Sequence, residues 1–242
     1  MPLPLLSLLV TLAGPVEAKT PPPWCAPELK ALSNDICAFE APDEDEGPRV
    51  LVVFLHGLVK TDSRWQHHHQ RIMVRGAKRE GYSLLMPRGI EGGHPHYPGK
   101  VGWPVTAADQ KKYESPLFAQ WKAAQRALEK EGSSFDRVLV VGFSSGAYYG
   151  ASLALRGAFE ADGYAVFAGG GPWGLAAKRR APIFVGICEK DRTAGGARLL
   201  VEALENAKWP HAAESREVGH ELDDDHLDHA ITYLRTAAQP DG

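Results

Sequence analysis

The sequence predicts an α/β fold: a three-layer α/β/α sandwich around a mostly parallel central sheet. Three observations carry that prediction. Short, nearly unbroken apolar runs such as Val50 to Leu55 suit strands buried on both faces. Between them lie longer stretches whose apolar residues recur at helical spacing. The two kinds alternate along the chain, as βα units do.

The elements follow in order from Arg49. Val50 to Leu55 is the first strand of the alternation. Arg64 to Lys78 has helical spacing through Trp65, Ile72, Met73 and Gly76. Tyr82 to Met86 reads as a strand, and Pro116 to Lys130 as a helix with Leu117, Trp121, Ala124 and Leu128 on one face. Val138 to Val141 is a strand, Ser145 to Leu155 a helix of small residues, and Tyr164 to Phe167 and Ile183 to Cys188 are strands. Ala197 to Ala207 is a helix, a short strand falls near Ala213 to Val218, and His226 to Arg235 is the last helix. Only about fifteen residues, Ala168 to Pro182, separate two of these strands, too few for an inserted cap domain. The α/β domain is therefore placed at residues 49–242.

Two segments precede it. Leu3 to Ala13 is an apolar run of signal-peptide length, too short to span a bilayer. Val16-Glu17-Ala18 offers small residues for cleavage after Ala18, so residues 1–18 are read as an export signal and the protein as secreted or periplasmic. No Lys or Arg precedes the run, so the usual basic start is missing. Pro15, not Cys, follows Leu12-Ala13-Gly14, which argues against a lipid anchor. Residues 19–48, opened by prolines and closed by the acidic Asp43 to Glu46, are read as an N-terminal extension with early edge strands. Cys25 and Cys37 are expected to pair there, which stabilises by about 3 kcal/mol for a loop of that size. The alternative is two free thiols in a reducing compartment. Cys188, in an apolar run, is expected to be buried and inert.

Of 242 residues, 44% are hydrophobic and 24% charged, and the formal net charge is -3. That balance gives no reason to expect nucleic acid or an anionic membrane as partner. Lys178, Arg179 and Arg180 form a tight basic cluster, read as solvated surface.

Gly142-Phe143-Ser144-Ser145-Gly146 matches G-x-S-x-G. The pattern is weak alone but strong in context, because it directly follows an apolar strand and directly precedes a helix. A serine on such a turn is held with its Oγ exposed above the sheet, and the flanking glycines let strand and helix approach. Ser144 is thus the candidate nucleophile. The amide of Ser145, at the helix start, points toward charge that develops on a substrate. His56-Gly57 follows the first strand, and the amide of Leu58 is the expected second oxyanion donor. His56 itself is read as structural.

Ten histidines compete for the role of proton shuttle. His220 follows the last predicted strand and precedes the last helix, on a loop at the carboxyl edge of the sheet. His226 and His229 are read as surface residues of that helix. His67-His68-His69 resembles a metal tract, but consecutive helical residues diverge, so it is read as solvated. His94 and His96 lie in a Gly/Pro-rich loop that could border a substrate. Asp191, just past Ile183 to Cys188, is the expected acid, with Glu189 as runner-up and Asp162 at the wrong edge. Trp103 and Trp173 follow strands at the same edge and are proposed as pocket walls, with core packing the alternative.

Phe54-Leu55-His56-Gly57, the G-x-S-x-G turn, Asp191 and Gly219-His220, in that order, resemble the α/β-hydrolase superfamily from about Arg49 to Arg235. The nearest look is to small lidless esterases of the dienelactone-hydrolase, polyhydroxyalkanoate-depolymerase and phospholipase/carboxylesterase kind. Ser144 departs from the cysteine nucleophile of dienelactone hydrolases. The resemblance implies hydrolysis of a small-molecule or polymeric ester through an acyl-enzyme, with no metal and no cofactor. Thioesterase or peptidase chemistry on the same residues, or a noncatalytic binding protein that keeps the fold, are the rival expectations.

Overall fold

The computed structural model describes residues 22–42, 47–93 and 96–237. The proposed signal segment, His94 and the acidic run Asp43 to Glu46 lie outside them. In chain order the elements are β1 (Lys30–Ser33), β2 (Ile36–Phe39), β3 (Val50–Leu55), β4 (Val59–Lys60), α1 (Gln66–Glu80), β5 (Tyr82–Pro87), β6 (Ile90–Glu91), β7 (Lys100–Gly102) and α2 (Ala107–Lys130). There follow β8 (Arg137–Phe143), α3 (Ser145–Arg156), β9 (Gly163–Phe167), β10 (Ile183–Cys188), α4 (Ala194–Asn206), β11 (His211–Arg216) and α5 (Asp224–Ala237).

Eight strands form one sheet in the order β1-β2-β5-β3-β8-β9-β10-β11. The six from β5 to β11 run parallel, and the hairpin β1–β2 joins β5 antiparallel. Alternate strand residues face two separate cores. Leu51, Val53, Leu55, Val140 and Val185 pack with α2, α3 and α4. Val50, Val52, Phe54, Val141 and Phe167 pack with α1 and α5. Every residue of β3, β5, β9 and β10 is buried, which is why those strands read as unbroken apolar runs.

From β3 the chain moves first to β5 on one side and then to β8 on the other. Loops leaving the carboxyl ends of β3 and β8 diverge there and open a crevice between them. A small antiparallel sheet, β4-β7-β6, crowns that edge, with Val59 opposite Val101 and Lys60 opposite Lys100. The residues 168–182 between β9 and β10 contain no helix or strand.

The segment before β3 supplies the expected edge strands, whereas the start of α2 differs from expectation. The segment before β3 is built into the domain: Trp24, Cys25, Ala26 and Leu29 are buried, and β2 completes the sheet against β5. Cys25 and Cys37 are joined by a disulfide, with Cα atoms 6.3 Å apart. Helix α2 begins nine residues before Pro116. No residue of its first turns is fully buried, so periodicity hardly registers them. The signal that marks their start is a cap: the Thr106 side chain accepts from the Asp109 amide at 3.2 Å. Among the described residues no helix is long and apolar enough to cross a membrane.

Candidate active site

Ser144 stands between β8 and α3 with φ 54° and ψ -115°, a left-handed backbone that L-residues rarely adopt. The turn is locked from three sides. The Ser144 amide donates to the Phe167 carbonyl at 2.9 Å, and its own carbonyl accepts from the amides of Ala147 and Tyr148. A Cβ on Gly142 would run into the Gly146 carbonyl, and one on Gly146 into the carbonyl of Leu55. Both glycines of the motif are therefore demanded by close backbone approach.

His220 lies between β11 and α5. Its Nε2 is 2.9 Å from Ser144 Oγ, and its Nδ1 is 2.5 Å from Asp191 Oδ2. Asp191 follows β10 and is buried, whereas the imidazole is partly open to solvent. The Asp191 carboxylate also accepts from the Thr193 hydroxyl at 2.6 Å and from the Thr193 amide at 3.2 Å. Burial pushes the Asp191 carboxyl upward, but these hydrogen bonds from Thr193 and His220 outweigh it and its pKa is lowered. An ionised carboxylate there favours the His220 tautomer with the proton on Nδ1, so Nε2 faces the serine hydroxyl as an acceptor. The rival acids are engaged elsewhere: Glu189 pairs with Arg198, and Asp162 caps the start of β8 and binds Arg179.

Leu58 and Ser145 border the same cleft, one after β3 and the other at the start of α3. His56 shapes the first of these turns. Its Nδ1 donates to the Gly57 carbonyl at 2.6 Å, and its Nε2 accepts from the Gly89 amide at 2.9 Å. Burial holds its pKa down to about 4, so it remains neutral and structural. Gly57 packs so near Ser144 that an added Cβ would lie 3.3 Å from the serine's Cβ.

The cleft holds about 600 Å³, and its lining includes Leu58, Trp65, Tyr97, Ser144, Tyr148 and His220, together with Lys100 and Arg192. Neither tryptophan expected as a wall is among the lining residues. Trp103 is fully buried below, stacked on Tyr149, and its Nε1 donates to the His56 carbonyl at 2.7 Å. It supports the floor of the site because β7 belongs to the small crowning sheet and turns the indole inward. Trp173 packs against the core on the loop between β9 and β10. Trp65, which helical spacing places on the apolar face of α1, instead precedes the helix and stands 45% exposed at the cleft. No local signal distinguishes it from a core residue.

Two other histidines, His69 and His226, depart from their expected settings. His69 is buried and stacked on Phe143 at 4.2 Å, and Phe143 in turn lies 5.0 Å from the His220 ring. Burial, then the charges of His68 and His220, drive its pKa down to about 3. His67 reaches away to the Pro23 carbonyl, so the tract does diverge. His226 is buried between Phe167 and Phe184, with Nε2 on the Glu214 carbonyl, while His229 is exposed beside Glu214. Cys188 is buried and burial raises its thiol pKa to about 11, which removes it from nucleophilic chemistry.

No protein-family model and no curated protein matches the chain. Solved structures do. A structure of YahD with malic acid has a TM-score of 0.60 at 15% identity, covering 84% of this chain and 98% of that one. SOBER1 from Arabidopsis thaliana has 0.60 at 16%, covering 79% and 100%. A carboxylesterase from Bacillus cereus has 0.57 at 18%, covering 86% and 94%. The chain has the α/β-hydrolase fold, and among the described residues no cap is inserted between β9 and β10.

Proposed function

We propose that the protein is a serine hydrolase that cleaves carboxylic esters, with Ser144 as nucleophile, His220 as general base and acid, and Asp191 as the group that orients the imidazole and stabilises its charged form. The observation that carries this reading is the 2.9 Å approach of His220 Nε2 to the oxygen of a serine held at positive φ, at the mouth of an open cleft. The esterases among the structural neighbours support it.

Ser144 Oγ attacks the acyl carbon as His220 Nε2 takes its proton. The imidazolium that forms is stabilised by the Asp191 carboxylate. The backbone amides of Leu58 and Ser145 receive the oxyanion; each such donor contributes about 3–4 kcal/mol to the transition state. His220 returns the proton to the departing alcohol, leaving an acyl-serine. Water, deprotonated by the same imidazole, then releases the acid. A fluorophosphonate probe labels the wild type and spares Ser144→Ala; labelling of both removes Ser144 from the role. Cleavage after Ala18 and export belong to the same reading, supported by the Cys25–Cys37 disulfide. Terminal sequencing of protein recovered outside the cytosol tests them.

A further inference from the structure

The cleft carries charge of one sign. Among the side chains that line it, Arg192 and Lys100 are cationic and none is a carboxylate. The nearby acids on the Arg192 loop are already engaged, Glu189 with Arg198 and Asp191 with His220 and Thr193. Both cations line the cleft that holds Ser144. Lys100 arrives on β7, with its Nζ 5.0 Å from the Tyr97 ring centre, and Arg192 stands exposed between β10 and α4. A third positive element meets them. Helix α4 opens into the cleft at Gly196, and its first turn holds no acidic residue. Thr193 gives that helix no side-chain cap, because its hydroxyl is bound to Asp191. The helix's partial positive charge therefore faces the same space. All of this occurs in a chain whose formal net charge is -3, so the sign is local to the cleft.

We propose that the cleft selects esters that also carry an ionised carboxylate, with Arg192 as the specificity-determining residue and Lys100 as a second cation lining the same cleft. This rests on the esterase reading above. A guanidinium presents parallel N–H donors that match a carboxylate, and an ammonium adds a point charge. A neutral acyl chain gains from neither. The carboxylate could belong to the acyl part or to the alcohol part of the ester, and two substrate pairs separate these sources.

The test measures kcat/KM by pH-stat with the full chain. Monoethyl succinate is compared with ethyl levulinate, in which a methyl ketone replaces the carboxylate. O-butyrylglycolate is compared with 2-oxopropyl butyrate, which moves the charge to the alcohol side. In at least one pair the wild type favours the anionic ester, and that preference falls about ten-fold in Arg192→Ala. Arg192→Lys keeps most of it, and 0.5 M salt compresses it, as the screening length drops to roughly 4 Å. A purely structural role for Arg192 would slow both members of a pair alike and leave their ratio unmoved. A ratio near one in both pairs, or a ratio unchanged by Arg192→Ala, overturns the inference while hydrolysis of the neutral esters leaves the esterase reading standing. Failure to turn over any of the four esters, with no fluorophosphonate labelling at Ser144, removes the esterase reading and this inference with it.

Discussion

Replacing Ser144 by glycine should make the protein more stable than replacing it by alanine, although both remove the hydroxyl. The reason is the backbone at that turn, where φ is 54° and ψ -115°. A residue with a Cβ held in such a region costs about 2 kcal/mol, and glycine escapes that cost. Glycine also gives the unfolded chain more freedom, which offsets about 0.7 kcal/mol of the gain. The net advantage of Ser144→Gly over Ser144→Ala is then about 1 kcal/mol. For a domain of this size that is a difference of about 3 °C in melting temperature. The comparison cancels the hydroxyl's contact with His220, which both variants lose. Differential scanning calorimetry, with urea denaturation as a check on equilibrium stability, reads the difference directly. If Ser144→Gly melts below Ser144→Ala, the serine is not held against its conformational preference, and the strained-turn account of its exposure fails.

Other outcomes follow from the same geometry. Asp191→Asn should lower kcat by on the order of 10⁴ while leaving the fold intact, because the amide can still meet Thr193 but cannot stabilise an imidazolium; steady-state kinetics beside a thermal melt checks this. Gly146→Ala should destabilise by about 3 kcal/mol and abolish hydrolysis, since its Cβ would intrude on the Leu55 carbonyl; urea denaturation reads the first effect. His56 and His69 stay neutral in the fold with pKa values near 4 and 3, so each stabilises above pH 6.5 and that contribution is lost as pH falls below it. Between pH 6.5 and 5 each should account for about 2 kcal/mol of lost stability, and His69→Phe, which keeps a ring on Phe143, should remove one such share. An acid limb equally steep in wild type and His69→Phe would contradict the buried neutral assignment.

Much of the fold is legible in the sequence because the parallel strands are buried on both faces. Ile183–Cys188 and Val50–Leu55 begin and end where the apolar runs do. The start of α2 is less legible, because Ala107 to Ser115 is helical without an apolar stripe and only Thr106 and Asp109 announce it. The hairpin β1–β2 is too short for periodicity to register, and its place at the sheet edge comes from pairing with β5.

The order of elements and the turn bearing Ser144 are written in the chain itself, since apolar spacing and glycine placement are local properties. Proximity among residues far apart in sequence is not local. That His220 and Asp191 converge on residue 144, separated from it by 76 and 47 positions, depends on the sheet order, which stacks the ends of β8, β10 and β11 along one edge. Depth is decided there too. Apolar character marks Trp103, Trp173 and Trp65 alike, and only packing sends the first into the core and leaves the last at the cleft. The charges of Lys100 and Arg192 are just as silent in sequence, because a cation acquires a role only from what the fold sets beside it.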